Sequence, residues 1–184
     1  LDETVGVLQK DYEIIVHSLE PSNKNDIPLK SGKFWSEKFK IQFWENKYNR
    51  SHEFMDMLKL IQSIQNSKTK LDYCWKLANK TSKCLLFLET KQQCKDLGFH
   101  AYYSGNKNSE QNLDKFQNNE ITHLSCVKQL SAGITFNNLN EVIILHAYAS
   151  NNKAHQRIAR CLNYVEGEKA TIHIIALKGT RDEI

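Results

Sequence analysis

The chain has 184 residues, 40% of them apolar, with 13 basic against 11 acidic side chains up to residue 80 and 12 against 10 after it. That length supports one domain with a real core, and the mild, evenly spread net charge of +4 excludes a basic tail without arguing strongly for nucleic acid. The longest apolar runs, Cys84–Leu88 and Val142–Leu145, are far too short to span a membrane. Five cysteines at 74, 84, 94, 126 and 161 show no CxxC spacing, and the histidines form no HxxxH pair. This pattern predicts a reducing, cytoplasmic and intracellular protein without zinc or disulfides. The chain opens at Leu1 rather than Met and has no signal-peptide pattern, so it reads as a fragment.

Residues 1–10 are polar and read as a frayed end or linker. Tyr12–Leu19 reads as a strand stopped by Pro21. Residues 20–33 contain both prolines and read as a loop. Alternation of Phe39, Ile41 and Phe43 favours a short strand in the aromatic stretch Phe34–Trp44, with a helix as the alternative. Phe54, Met55, Leu58, Ile61 and Ile64 recur at three and four, which predicts a helix over Asn49–Gln65 with Ser51 as its cap. A second helix follows over Lys68–Asn79.

From there strands and helices alternate. The pattern predicts strands over 84–88, 99–103, 121–126, 142–145 and 170–177. It predicts helices over 91–97, 109–117 and 153–162, with a helical turn over 127–132. Such alternation makes an α/β protein with a mainly parallel sheet covered on both faces. Residues 1–80 read as an N-terminal strand and helical appendage, and 81–184 as the core.

The stretch His146–Asn163 leaves an apolar strand, crosses a polar turn and enters a helix bearing Gln156, Arg157 and Arg160. Gln156 and Arg160, four apart, share one side, and Arg157 flanks them. In α/β folds ligands lie beyond the carboxyl ends of strands, and fork-shaped arginines suit phosphate there. A solvated basic helix face is the plainer alternative. Three other strand ends carry phosphate-compatible residues. They are Thr90 with Lys91, Ser104 with Gly105, and Ser125 with Val127 and Lys128. Together they would track a nucleic-acid backbone without reading bases. Helix capping by Thr90 and ordinary turn chemistry at Ser104–Gly105 are the alternatives. The aromatic group Phe34, Trp35, Phe39, Phe43, Trp44 and Tyr48 could stack bases. More often such residues pack an appendage, with any exposed Trp a docking surface for another domain.

These segments carry a family resemblance. Cys84–Thr90 (CLLFLET) resembles helicase motif IV, and Ser125–Phe136 with Gly133-Ile134 resembles motif V. Gln156–Arg160 (QRIAR) resembles motif VI, usually QRxGRxxR. The passage Tyr102–Gly105, Ser109–Glu110 and Lys115–Glu120 falls where that family has its intervening segment. From about Asp11 onward the chain is thus similar to the second, C-terminal RecA-like domain of a superfamily 2 DNA helicase of the DEAD/DEAH-like, phage or bacterial type. The resemblance implies a three-layer RecA-like fold. It also implies that ATP and Mg²⁺ are held mainly by a first RecA-like domain of the same protein. Arg160 would be the arginine finger, and Gln156 would order the γ-phosphate or attacking water. Arg157 would be a second phosphate contact or an interface ion pair, and Gly133 with Thr135 would touch the ribose side. The implied partner is DNA, with RNA an alternative, and there is no membrane.

The departures are Ala159 for the usual Gly, Asn163 for a second arginine, Thr135 for Asp or Asn, Val127 for Thr and Gln111 for Arg. They leave a second reading open: a degenerate helicase-like module that binds nucleic acid or a partner without turnover. The chain has no GxxxxGK[ST] loop, since Gly32-Lys33 runs into Phe34 and lacks the upstream glycine. No acidic DExD/H motif follows an apolar strand. These absences imply an excised or truncated second half, inactive as an ATPase alone.

Overall fold

The structure, a computed structural model, describes residues 11–127, 136, 138–146 and 167–183. In chain order the elements are β1 (Asp11–Leu19), β2 (Asn25–Pro28), β3 (Phe34–Ser36), α1 (Glu37–Ser51), α2 (Phe54–Gln65) and α3 (Lys68–Ala78). There follow β4 (Cys84–Leu88), α4 (Lys91–Leu97), β5 (His100–Tyr102), α5 (Ser109–Gln117), β6 (His123–Val127), β7 (Glu141–Ile144) and β8 (Lys169–Leu177). Six strands form one sheet in the order β1-β8-β7-β4-β6-β5, and every pairing in it is parallel.

Strand side chains alternate between faces, and β4 shows the result. Cys84, Leu86 and Leu88 enter a core closed by Cys74 and Ala78 of α3 and by Cys94 and Leu97 of α4. Leu85 enters the opposite core with Leu113 and Phe116 of α5. A parallel sheet buried on both faces is the expected α/β architecture, with near-continuous apolar strands such as CLLFL as its sequence mark.

A third, smaller core joins Ile41 of α1 and Leu60 and Ile64 of α2 to Leu177, with Leu19, Trp44 and Tyr48 packed against it. Leu19 and Leu177 are the last residues of β1 and β8 and pair with each other. The α1–α2 pair therefore caps the carboxyl end of that corner of the sheet.

Three expectations are corrected. Residues 20–33 are not all loop, because Asn25–Pro28 pairs antiparallel with Phe34–Ser36. The stretch 34–44 is a short strand followed by a helix, and Phe39, Ile41 and Phe43 all lie in α1. Ser36 caps that helix by accepting from the Phe39 N–H. The helix expected from Asn49 is two helices, because His52 takes a left-handed conformation that ends α1. Ser51 is the last residue of α1 rather than a cap, and α2 starts after Glu53 without a side-chain cap. The expected turn over 127–132 and helix over 153–162 fall outside the described residues, apart from Val127.

Candidate functional site

Because the sheet is wholly parallel, all its carboxyl ends share one edge. At the end of β4, Thr90 caps α4: its hydroxyl accepts from the Gln93 N–H at 3.2 Å. The Gln93 side-chain oxygen accepts in turn from the N–H groups of Glu89 and Thr90, at 3.0 and 3.1 Å. The opposite end of that amide donates to the Gln65 carbonyl at 2.8 Å, which ties α4 to the end of α2. The capping role of Thr90 is thus established by geometry, and its hydroxyl is already engaged.

Lys91 is exposed, with its ammonium 5.6 Å from the centre of the Tyr103 ring. A Cβ added at Gly105 would lie 3.6 Å from Lys91 Nζ, and Gly105 itself sits at φ +89°, where side chains are strained. The structure therefore brings Lys91 and the Ser104–Gly105 turn together across the ends of β4 and β5. The turn is rigidly built. Ser109 Oγ accepts from the Tyr103 N–H and donates to the Tyr103 carbonyl. Asn106 and Asn112 both donate to the Ala101 carbonyl, at 2.7 and 2.9 Å. Ser104 and Gly105 are left exposed at its tip. Sequence reasoning did not single out Tyr103, Asn106 or Asn112. The asparagine-rich run before α5 was the available signal, because such side chains close turns onto the backbone.

Ser125 does not share this edge. It lies inside β6, opposite Leu86 and Ala101, fully buried, with its hydroxyl donating to the His100 carbonyl at 3.2 Å. The expected strand over 121–126 already contained Ser125, and grouping it with the strand end overlooked that it points between neighbouring strands two residues before β6 ends at Val127. Val127 is half-buried against the α3–α4 core. Lys128, Gly133, Thr135, Gln156, Arg157 and Arg160 lie outside the described residues.

The start of the His146–Asn163 stretch is described, and it is anchored deeply. His146 Nδ1 lies 3.1 Å from both Lys70 Nζ and an Asp182 carboxylate oxygen. Lys70 donates to the other Asp182 oxygen, which also accepts from the Leu177 N–H at 3.2 Å. All three side chains are essentially buried. Burial draws Lys70 below the ordinary ammonium range, against the pull of Asp182. Burial alone would raise the Asp182 carboxyl, but its contacts with His146 and Lys70 outweigh that and hold it below the usual carboxylate range. The triad fixes α3, the exit of β7 and the turn after β8 to one another.

Beside the edge, an open groove of about 670 Å³ is lined by residues including Lys68, Trp75, Thr90, Gln92 and Asp96. The most exposed described tryptophan is Trp75 here, 49% exposed, and not one of the pair in the aromatic stretch. Among the described residues no group of His, Cys, Asp and Glu is placed to hold a metal ion, and no helix is long and apolar enough to cross a membrane.

Comparison with known proteins identifies the family and the fold. Residues 66–164 match the family model described as the helicase conserved C-terminal domain. Among solved structures, the chain is similar to the SWI2/SNF2 ATPase core of Sulfolobus solfataricus in complex with dsDNA, at 15% identity and a TM-score of 0.58 over 95% of this chain. It is also similar to the Mycobacterium smegmatis helicase Lhr bound to ssDNA and AMP-PNP, at 12% identity and a TM-score of 0.51 over 90% of this chain. The chain spans 42% and 19% of those two proteins, so they share its fold over part of their length. No curated protein matches the sequence.

Proposed function

Because the chain belongs to the helicase conserved C-terminal domain family, we propose that it acts as the second motor domain of an ATP-dependent superfamily 2 DNA helicase or translocase. The observation that carries this reading is the carboxyl edge of a wholly parallel six-stranded sheet, where Lys91 overhangs the Ser104–Gly105 turn. An ammonium, an exposed hydroxyl and an exposed glycine backbone brought together from the ends of β4 and β5, which flank β6, suit a phosphate backbone. Val127 and Lys128 extend that edge in this reading.

ATP and Mg²⁺ belong mainly to a first RecA-like domain, which would supply the phosphate loop that this sequence lacks. Phosphoryl transfer of this kind relies on positioning and charge stabilisation. Arg160 is assigned as the finger to the γ-phosphate, Gln156 as the group that orders it or the attacking water, and Arg157 as a second phosphate contact. Gly133 and Thr135 are assigned to the ribose side. Closure of the two domains would couple nucleotide to movement along the strand.

The test compares ATP turnover by this chain alone with turnover by a polypeptide joining it to its first domain, with and without DNA. No turnover alone and DNA-stimulated turnover when joined is the expected result. Salt-dependent DNA binding without turnover in the joined protein would favour a binding module that has lost the motor chemistry.

A further inference from the structure

Residues 24–51 hold seven basic and three acidic side chains, a local excess of four that equals the net charge of the whole chain. One of the three acids is spent internally: Glu37 is buried and accepts from the N–H groups of Ser22 and Thr69. Among the described residues Lys33, Lys38 and Lys40 pair with no carboxylate. Interleaved with these lysines are aromatic rings. Phe34 is 58% exposed, Phe39 55% and Phe43 40%, too much for core residues. Phe39 and Phe43 stand four apart on one side of α1, and Trp35 meets both edge-on, with ring centres 5.5 and 5.1 Å away. Scattered exposed hydrophobics need no explanation, but joined rings do.

We infer that this face of α1 and β3 is a second binding surface, for single-stranded nucleic acid. The rings would stack bases while Lys33, Lys38 and Lys40 meet phosphates, the combination that sequence-tolerant strand binders use. Lysine is depleted from the cores of protein-docking surfaces, so the charge argues against a protein occupant. Paired bases in a duplex hide their faces, so a single strand is the form that fits.

Position sets this surface apart from the site at the sheet edge. Through Leu19 and Leu177, α1 is seated over the carboxyl ends of β1 and β8. The Ser104–Gly105 turn, which Lys91 overhangs, follows β5 at the opposite edge of a sheet roughly 24 Å wide at ~4.8 Å per strand step. The rings stand on the side of α1 turned away from Ile41 and the sheet, so this surface is separate from the sheet-edge groove. The surface lies outside the family match over 66–164 and does not depend on the motor assignment.

The experiment titrates the chain with an oligo-dT strand, followed by tryptophan fluorescence, since Trp35 touches both phenylalanines. Phe39→Ala with Phe43→Ala changes exposed positions only, and thermal unfolding checks that the fold survives. The expected result is at least a fivefold loss of affinity, the equivalent of one lost stack, with an unchanged salt slope. Lys33→Glu with Lys40→Glu should weaken binding and flatten the slope of log K against log salt by about 0.7 for each phosphate no longer neutralised. Lys91→Ala reports the sheet-edge groove separately, so the two surfaces can fail independently. Unchanged dT affinity in the phenylalanine variant overturns the proposal, as does equal loss on duplex DNA. Loss of association with the first motor domain at unchanged dT affinity would overturn it in favour of a protein-docking face.

Discussion

At the residue scale the governing feature is the buried contact among Lys70, Asp182 and His146. Asp182 and His146 stand 112 and 76 residues from Lys70 along the chain, so no local pattern could announce it. Only the fold brings them together, which is why sequence reasoning passed over all three as site-forming residues. Breaking a buried ion pair leaves an uncompensated charge and costs ~3–5 kcal/mol. Asp182→Ala should lower stability by about that amount in denaturant unfolding, and Lys70→Met combined with Asp182→Leu should recover most of it. The pH dependence has a definite sign. Asp182 is held below its ordinary value, so its contribution is present above that ordinary value and fades as pH falls through the lowered one. Unfolding curves taken between neutral pH and pH 3 should show this loss, and Asp182→Asn should reduce the slope. Thr90 and Lys91 were legible in sequence because a hydroxyl residue between an apolar strand and a helix is a local signal. Tyr103 beneath Lys91 was not, since that contact joins the start of α4 to the turn after β5.

At the scale of elements, the α4 cap offers a clean test. Thr90→Ala removes the hydroxyl from the capping box and should cost ~1 kcal/mol of stability. If capping is the residue's whole role, oligonucleotide affinity will hold steady in the same variant, and a parallel loss of affinity would add a direct contact. The edge strand β1 is tied down by a chain of hydrogen bonds. Tyr73 Oη meets His17 Nδ1 at 2.8 Å, His17 Nε2 meets His173 Nδ1 at 2.9 Å, and His173 Nε2 meets Glu141 at 2.6 Å. Burial and the neighbouring His173 hold His17 below its ordinary value. A histidine so lowered stabilises the fold above its ordinary pKa of about 6.5 and loses that contribution as pH falls through the lowered one. Amide protection along β1, corrected for the intrinsic exchange rate, should therefore fall between pH 7 and pH 5 more than protection along β4. Equal change in the two strands would show that the tether is inert. The stretch 34–44 was misread for a physical reason. Alternation put Phe39, Ile41 and Phe43 on one strand face, whereas in α1 Ile41 is buried and the two phenylalanines stand exposed on the other side. The decisive signal was Ser36 accepting from the N–H three residues on, which the alternation obscured.

For the whole molecule, the alternation of strands and helices after residue 80 was enough to give the parallel sheet and its two buried faces. Apolar strands such as Cys84–Leu88 can be satisfied in no other way. The sequence could not show that β1 joins that sheet in parallel beside β8, because a pairing across more than 150 residues leaves no local mark. Nor could it show that α1 and α2 close over the same edge. Both facts matter for function, since they put the appendage at the carboxyl ends of the strands, beyond which open α/β sheets bind ligands. The central claim is that this domain completes a nucleotide site held by another. It is tested most directly by single-turnover ATP hydrolysis with saturating DNA, in the two-domain protein carrying Arg160→Ala. The account predicts a rate at least ~10³-fold lower with nucleotide affinity little changed. An unaltered rate would contradict it.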